Sequence, residues 1–286
     1  MLRDNYPVLF EGIHTTYYAK KLLKNNKNRQ LLLRAHNVEH DYYHQLATNE
    51  KKLCNKVFFK IEALKLKLYE KNIEKLTVLA ISNNDLDYFN NKYGNALLIP
   101  PFHPYDIVKS PAGKGKYILF HADLSVTDNI KSIEYLTKNV FNYVNYPIVI
   151  AGKKPHLKIF QVTDNLKHID IIPDPDEEKM ESLIKNAQVN ICYTFQCTGI
   201  KLKLISSLFI GRFCLANSKM VKNTGLERLC SVKDKPDEII EELNYLLDQE
   251  FENSIITERK KILEKIFSNK GNAETLANLL INVNNI

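Results

Sequence analysis

Two short segments near the N-terminus place acidic and imidazole side chains at a spacing that suits acid/base chemistry. Glu11 and His14 lie on either side of Gly12, directly after an apolar run, and His36 and Glu39 follow the next apolar run. Carboxylates and imidazoles can exchange protons or hydrogen-bond a hydroxyl group, and glycine lets a ligand approach the backbone closely. We therefore predict that these two carboxylates and two imidazoles form one catalytic group. An ordinary helix start is the alternative for the segment around His14.

Residues 36–40 also match the H-x-x-E-H pattern of some zinc peptidases. That metal site needs one helix that presents both histidines, whereas an apolar strand candidate at residues 31–35 runs directly into His36. The Gly- and Lys-rich stretch at residues 110–116 supplies no carboxylate for a third ligand. We therefore predict no metal site here, but a ligand-binding loop at the carboxyl end of a parallel strand.

A third segment carries the features of a phosphate site. An apolar run ending at Tyr193 is followed by Thr198 and Gly199, and then by Lys201 and Lys203 at the start of a helical pattern. Backbone N–H groups at a helix N-terminus and lysine ammonium groups both attract phosphate. The P-loop and dinucleotide-binding glycine patterns are absent from the sequence. We predict that these four residues bind a diphosphate. The alternative is a helix whose lysines are only exposed to solvent.

These segments lie at the ends of elements that alternate along the chain. Short apolar runs predict β-strands at residues 7–10, 31–35, 78–81, 96–99, 117–121, 147–152, 168–172, 189–193 and 213–216. Periodic stretches predict helices at residues 14–26, 39–75, 83–93, 127–144 (with Ser125 or Thr127 as N-cap), 176–187, 199–209 and beyond Pro236. Such alternation is typical of α/β proteins in which helices cover both faces of parallel sheets.

The chain divides at a proline-rich segment. Three prolines among residues 100–104 exclude a helix there, and the stretch at residues 110–116 is a turn or linker. The strand–helix pattern then restarts. We therefore predict two Rossmann-like domains, residues 1–104 and residues 105–286.

The composition is that of a folded protein, with 44% hydrophobic and 26% charged residues. The sequence contains no apolar run of about 18 residues and begins without a signal peptide, so we predict a cytoplasmic location. The basic first part allows a location peripheral to the inner face of the membrane as well. Residues 1–104 hold 16 Lys/Arg against 10 Asp/Glu, and residues 105–286 hold 24 against 23. The basic first part suits anionic lipid or a phosphorylated substrate, or reflects a lysine-rich composition only. We predict no nucleic-acid partner, because no recognisable module accompanies the charge.

Lysines recur at helical spacing after residue 50, at positions 52, 56, 60, 67, 71 and 75. The apolar residues between them are Leu53, Val57, Ile61, Leu64 and Leu68, with the aromatic residues Phe58, Phe59 and Tyr69. This pattern predicts a basic amphipathic helix. We interpret the helix either as a contact with an anionic membrane surface or as an ordinary surface helix with a solvated lysine face.

Six segments occur in an order that resembles one family of enzymes. They are FEGIHT (residues 10–15), RAHNVEHDYY (34–43), LAISNNDLDYF (79–89), LIPPFHP (98–104), YILFHADLSVTDN (117–129) and TGIKLKLISSLFIGRFCLAN (198–217). Together they are similar to GT-B glycosyltransferases, close to the retaining group 1 (family-four-like) type and to bacterial mannosyltransferases. The resemblance implies transfer of a hexose from a UDP- or GDP-sugar to a glycan or lipid-linked acceptor. It implies no metal ion, no other cofactor and no protein nucleophile.

The resemblance also assigns residues to the nucleotide of the donor. Gln196 and either Leu204 or Ser206 stand where the family has two glutamates, the second of which holds the ribose. Ile172 belongs to the strand end that would line the base pocket. Because both glutamates are missing, a non-catalytic nucleotide- or glycan-binding subunit is the alternative. A GT-B-like epimerase or phosphorylase is a third, without a distinguishing motif.

The resemblance places the diphosphate of the donor on Lys201 and Lys203. The arginine and lysine that the family carries after the first strand of its second domain are replaced by Asp123 and uncharged residues, so these two lysines would supply the charge. The donor would lie in the cleft between the domains. The acid/base group of the first domain would face the sugar and the acceptor.

The first domain lacks the two strand–helix units with which the family's first domain begins. An incomplete sheet leaves an exposed strand edge or an exposed apolar face. We therefore expect one of three outcomes: pairing with another chain (a homo-oligomer formed through the first domain), poor solubility, or a rearranged first domain.

Overall fold

The computed structural model describes residues 4–50, 52–196 and 200–281. Its strands are β1 (Val8–Glu11), β2 (Leu31–Ala35), β3 (Thr77–Ala80), β4 (Ala96–Leu98), β5 (Ile118–Asp123), β6 (Ile148–Lys153), β7 (Ile169–Pro173), β8 (Val189–Cys192), β9 (Phe213–Ala216) and β10 (Ser231–Val232). Its α-helices are α1 (Ala19–Asn25), α2 (Glu39–Asn49), α3 (Leu53–Tyr69), α4 (Asn83–Tyr93), α5 (Thr127–Asn139), α6 (Leu157–Thr163), α7 (Glu177–Asn186), α8 (Leu202–Ile210), α9 (Ser218–Val221), α10 (Pro236–Asp248), α11 (Asn253–Ile266) and α12 (Asn269–Ile281). Short 3₁₀ segments occupy Ile13–Tyr18, Glu70–Ile73, Phe141–Tyr143 and Glu227–Leu229. The described part forms two compact units, one of residues 4–102 with α12 and one of residues 103–196 with 201–268.

The first unit contains a parallel sheet with the strand order β1-β2-β3-β4. Because successive side chains of a strand point to opposite faces, Phe10, Leu33 and Val78 share one face, and Leu32 and Leu79 share the other. The first face packs against apolar residues of α1, α3 and α4. The second face packs against α12. The parallel α/β architecture predicted for this half is confirmed.

Helix α12 belongs to the first unit, although the predicted second domain ran to residue 286. Its apolar contacts with the first sheet come from Leu276, Leu279 and Leu280. The side-chain amide of Gln30 also donates to the carbonyl of Leu279 at 2.7 Å. The apolar face that we expected to be exposed is therefore covered within the described part of the chain, and β1 and β4 form the edges of the sheet.

The helix predicted over residues 39–75 is interrupted. Glu50 and Lys52 have extended backbone angles, and the backbone N–H of Lys52 donates to the Glu50 carboxylate at 2.9 Å. The chain therefore leaves α2 and starts α3 as a separate helix. Ring contact between Tyr43 and Phe59, with centroids 6.2 Å apart, joins the two helices.

The second unit contains a parallel sheet with the strand order β10-β9-β8-β5-β6-β7. Ile118 of β5 pairs with Ile148 of β6 on one side and with Val189 of β8 on the other. The chain therefore builds one half of the sheet outward from β5 and then returns to build the other half. Open parallel sheets bind ligands at the carboxyl ends of the strands where the order reverses in this way.

A few elements differ from the prediction. Helix α6 and strand β10 were not predicted, and α8 begins at Leu202 rather than at residue 199. Val126 occupies the N-cap position of α5, because Ser125 instead binds Asp123 through its backbone N–H and its hydroxyl, at 2.9 Å and 2.6 Å. The predicted strands otherwise end within two residues of the observed ones. Across the described residues, the helices include none with both the length and the apolarity to cross a bilayer.

Candidate functional site

The strand order of the second sheet reverses beside β5, and two cavities open at the carboxyl end of that strand. Their volumes are about 270 Å³ and about 570 Å³, and Ala122 and Asp123 line both of them. We call them the smaller cavity and the larger cavity. Because this is the position at which open parallel sheets bind ligands, the two adjoining cavities form the candidate site of the second unit.

Two helices begin at the smaller cavity. Helix α5 contributes Val126, Asp128 and Asn129 to its lining, and α8 contributes Leu202 and Lys203. Among the described residues, no side chain caps either N-terminus. First-turn N–H groups and the positive end of the helix dipole favour an anion. The backbone around the smaller cavity is therefore suited to phosphate.

Lys203 adds a partly buried positive charge to the smaller cavity. Its ammonium group donates to Asn129 Oδ1 at 3.0 Å and to the Tyr193 carbonyl at 3.2 Å, and lies 5.0 Å from the centroid of the Phe120 ring. Burial lowers the pKa of Lys203. The ammonium group is thus held in place by the protein, and an anion in the cavity would offset the cost of burying its charge.

Gln196 lines the smaller cavity on a loop that Asp128 fixes. The Asp128 carboxylate accepts from the Thr194 hydroxyl at 2.7 Å and from the Phe195 N–H at 3.2 Å, and the Thr194 hydroxyl oxygen accepts from the Gln196 N–H at 3.1 Å. The two hydrogen bonds that the Asp128 carboxylate accepts offset part of its negative charge. The sequence analysis missed Asp128, Asn129 and Thr194, although an acid and an amide in the first turn after a strand end were a usable signal.

The predicted donor residues divide between the two cavities. Lys201, Lys203 and Gln196 line the smaller cavity, and Ser206 lines the larger one. Leu204 is fully buried. Of the two positions considered for the second glutamate, the serine lines the larger cavity.

The remaining predicted donor residues have a different outcome. Ile172 lies on β7 but is not among the residues that line either cavity, whereas Pro175 and Asp176, just beyond that strand, line the larger one. Ile172 is part of the strand itself, whereas the two residues that line the cavity belong to the loop that follows the strand. Thr198 and Gly199 lie outside the described residues, so their predicted role is untested.

The larger cavity has an aromatic wall with hydroxyl groups. The Tyr105 hydroxyl forms a hydrogen bond with Ser206, and the Tyr105 ring stacks on Phe209 with centroids 5.8 Å apart. A Cβ on Gly152 would lie 1.7 Å from the Ala122 carbonyl oxygen, so any larger residue would separate β6 from β5 beside the cavity. Aromatic surface with a few fixed polar groups suits a nucleoside.

A buried histidine lies between the larger cavity and α8. His121 lines that cavity, and its Nε2 atom is 3.1 Å from the Ser207 hydroxyl oxygen. Burial, with a smaller contribution from the charge of Lys203, lowers the pKa of His121 to about 3. His121 is therefore neutral at physiological pH and supplies a fixed hydrogen bond rather than a charge.

The neutral state of His121 predicts a pH-dependent stability. The pKa of His121 is lower in the folded state than in the unfolded state. The contribution of neutral His121 to the free energy of unfolding is therefore complete above pH 6.5 and declines as the pH falls toward 3. Relative to His121→Gln, the wild type should lose about 2 kcal/mol of unfolding free energy between pH 7.5 and pH 5. Urea unfolding of both proteins across this pH range measures the difference, and parallel pH profiles would contradict the assignment.

The first unit brings the four predicted acid/base residues together. Glu11 ends β1 and His36 directly follows the neighbouring strand β2, with His36 Nε2 3.2 Å from Glu11 Oε2 and both side chains just over half exposed. Burial raises the pKa of Glu39, and the charges of His14 and His36 act in the opposite direction. Gly12 has φ 81°, a conformation that favours glycine. The contact between Glu11 and His36 is thus observed, and the catalytic role of all four residues remains a prediction.

A buried arginine lies beside this group. The Arg34 guanidinium donates to the Pro100 carbonyl at 3.3 Å and lies 4.8 Å from the centroid of the Phe102 ring. Burial lowers the pKa of Arg34, while the charge of Glu11 opposes that shift. The Arg34 guanidinium therefore lies close enough to Glu11 to interact with its charge. Sequence analysis did not single out Arg34, because it is embedded in the apolar run of β2.

The two histidines of the H-x-x-E-H pattern have different partners. His36 contacts Glu11, whereas His40 is buried in α2 with its Nε2 2.8 Å from the Tyr88 hydroxyl and 3.4 Å from Glu70 Oε2. His36 precedes the helix, as expected from the strand that runs into it. Within residues 4–50, 52–196 and 200–281, no group of three or more His, Cys, Asp or Glu side chains is arranged to hold a metal ion.

Comparison with known proteins places this geometry in context. No protein-family model matches the chain. Among curated proteins, an uncharacterized 44.6 kDa protein in the cps region of Klebsiella pneumoniae is 24% identical over 230 residues, which cover 73% of this chain and 57% of that protein. This chain therefore spans little more than half of that relative.

Solved structures are similar over nearly the whole chain. TarM of S. aureus, determined with Fondaparinux, alpha-GlcNAc-glycerol and UDP, has a TM-score of 0.66 at 14% identity and covers 96% of this chain and 55% of its own. Sucrose-phosphate synthase from Thermosynechococcus elongatus has a TM-score of 0.70 at 13% identity and covers 96% of this chain and 72% of its own. Both are GT-B glycosyltransferases. At this identity the likeness shows the fold, and the chain has the α/β fold of the GT-B class with two parallel sheets.

Proposed function

We propose that the chain transfers a hexose from a UDP- or GDP-sugar to a glycan or lipid-linked acceptor. In this proposal the diphosphate of the donor binds in the smaller cavity and the nucleoside binds in the larger one. The reaction retains configuration and uses no metal ion. The acceptor oxygen forms a bond to the anomeric carbon, the bond from that carbon to the diphosphate breaks, and the leaving diphosphate oxygen takes the acceptor proton.

One observation carries the proposal: the N-termini of α5 and α8 and the ammonium group of Lys203 meet at a single cavity. Fixed positive groups stabilise the charge that develops on a leaving diphosphate without a metal ion. Tyr105 and Ser206 in the adjoining cavity offer a ring for the base and hydroxyl groups for the ribose. TarM, which was determined with UDP, has the same fold.

A thermal-shift screen of UDP-, GDP- and ADP-sugars tests donor binding. A ligand that binds only the folded protein raises its apparent stability, so a shift with one nucleotide is expected and the same sugar nucleotide should be consumed when an acceptor is added. Addition of EDTA should leave this turnover unchanged. A flat response to all three nucleotides would count against the proposal.

The acid/base group of the first unit is proposed to orient and polarise the acceptor hydroxyl. Glu11→Gln and His36→Gln are each expected to lower kcat/KM by about 100-fold, the size of the loss when a group that positions a reactant is removed. Donor-induced thermal shifts should be unchanged, because both residues lie in the first unit. His44→Gln, which alters an exposed histidine of the same unit, is the matched control. Equal turnover in all three variants would remove these residues from the mechanism.

A second function has support from the donor site itself. Gln196 and Ser206 stand where the family carries glutamates, and Ser206 faces the larger cavity with a hydroxyl instead of a carboxylate. Such a cavity could hold a nucleotide without turning it over, as expected of a binding subunit. Nucleotide binding without consumption of any donor, in the presence of acceptor glycans, would favour this function over transfer.

A further inference from the structure

The face of α3 that points away from the first-unit core is apolar. Helix α3 buries Ala63 and Leu66 on its inner side. Five apolar residues on the outer side are exposed, namely Leu53 (74%), Val57 (48%), Ile61 (48%), Leu64 (60%) and Leu68 (60%). At 3.6 residues per turn they fall within an arc of about 80° and form one row along a helix of roughly 25 Å. Single exposed apolar residues are ordinary, but a contiguous row marks an interaction surface.

Lysines border this row on both sides. By helical spacing, Lys60 and Lys67 lie along one flank and Lys65 along the other, and all three side chains are exposed. Phe58, which is 55% exposed, lies on the Lys65 side. The acidic residue within α3 is Glu62, and Lys65 neutralises it at 2.7 Å. The outer face of α3 therefore combines an apolar row with a net positive border.

We propose that the outer face of α3 docks on the surface of an anionic lipid bilayer, with the helix axis parallel to the membrane. The apolar row would enter the boundary between headgroups and acyl chains, and the lysine stems would extend so that their ammonium groups meet anionic headgroups. A second copy of the chain is a poorer occupant, because it would bring its own lysines against these. The proposal does not depend on glycosyl transfer. It identifies the surface at which the protein would act.

Vesicle flotation with the full chain tests this docking. Binding to phosphatidylcholine vesicles that contain phosphatidylglycerol should be at least about 10-fold tighter than to phosphatidylcholine alone and should weaken as salt is raised. Leu64→Ser/Leu68→Ser and Lys60→Gln/Lys67→Gln should each weaken binding by about 10-fold or more. Lys20→Gln/Lys24→Gln, which removes the same charge from exposed positions of α1, is the matched control and should bind like the wild type.

Three outcomes would overturn the proposal. The first is that both α3 variants bind vesicles as tightly as the wild type does. The second is that the wild type does not bind anionic vesicles. The third is lipid-free self-association that Leu64→Ser/Leu68→Ser abolishes, which would make a second copy the occupant. Thermal unfolding establishes that each variant is folded, since exposed substitutions should change stability little. Nucleotide-sugar thermal shifts should persist in these variants, so failure of docking and failure of the proposed function are distinguishable.

Discussion

Replacing Lys203 by methionine should weaken nucleotide-sugar binding by about 100-fold, while the folded protein without ligand becomes no less stable. A charged hydrogen bond to a buried phosphate contributes roughly 1.5–3 kcal/mol, and methionine keeps the length of the side chain without the charge. Burial of Lys203 already disfavours its charged form, as the direction of its pKa shift shows. Its removal therefore relieves a cost in the free protein. Calorimetric titration with the donor and urea unfolding without it measure the two effects separately.

Two further lysine variants sharpen this test. Lys201→Met, also in the lining of the smaller cavity, should weaken donor binding less, because Lys201 precedes the first turn of α8, whereas the Lys203 ammonium group is fixed beside the cavity by Asn129 and the Tyr193 carbonyl. Lys219→Met removes an exposed lysine that lines neither cavity and should leave affinity unchanged. Equal affinity of the Lys203 variant and the wild type would show that the diphosphate does not bind in the smaller cavity.

Arg259→Met should destabilise the protein by about 4 kcal/mol, because it removes the guanidinium that donates to three buried carbonyl groups. The buried Arg259 guanidinium donates to the carbonyls of Leu208 at 3.2 Å and Gly211 at 2.7 Å, and also to that of Arg212. Its charge lies 4.6 Å from the centroid of the Phe251 ring. Burial lowers the pKa of Arg259 to about 10, so the charge persists at neutral pH. The arginine thus joins α11 to the carboxyl end of α8.

Urea unfolding at pH 7 measures this effect, with Lys260→Met as the control from the adjacent, exposed position of α11. The control should change the unfolding free energy by less than about 0.5 kcal/mol. The unfolding free energy of Arg259→Lys should lie between those of Arg259→Met and the control, because an ammonium group carries the charge but cannot reach all of the carbonyls from one position. A loss below about 1 kcal/mol for Arg259→Met would mean that water replaces the guanidinium at these carbonyls.

The strands were predictable because strands buried in a parallel sheet are nearly continuous apolar runs, and β2 and β9 were predicted to the residue. Strand β10 has only two residues and no apolar run, and α6 has only seven residues, so neither gave a periodic signal. The division between α2 and α3 depends on the extended backbone around Glu50, which interrupts an otherwise helical composition. The type of the longer elements could therefore be predicted from the sequence. The short elements and the interruption between α2 and α3 could not.

Residues of the candidate site could be predicted from the sequence where the signal is local. Contacts between residues that are distant in the sequence could not be predicted. Lys201, Lys203 and the pairing of Glu11 with His36 follow from residue types at the ends of predicted strands. The partnership of Asp128 with Thr194 joins residues 66 positions apart, and only the reversal of strand order beside β5 brings them together. The outward direction of the apolar row on α3 was also unpredictable, because periodicity defines two faces of a helix but not which one meets the core.

The position of α12 has a consequence for biosynthesis. Domains generally fold as the chain leaves the ribosome, N-terminal part first. The face of the first sheet that carries Leu32 and Leu79 is covered by α12, which is synthesised only after the whole second unit. A nascent chain would therefore expose this leucine surface until α12 is synthesised. A truncated chain that ends before residue 269 should bind chaperones and precipitate.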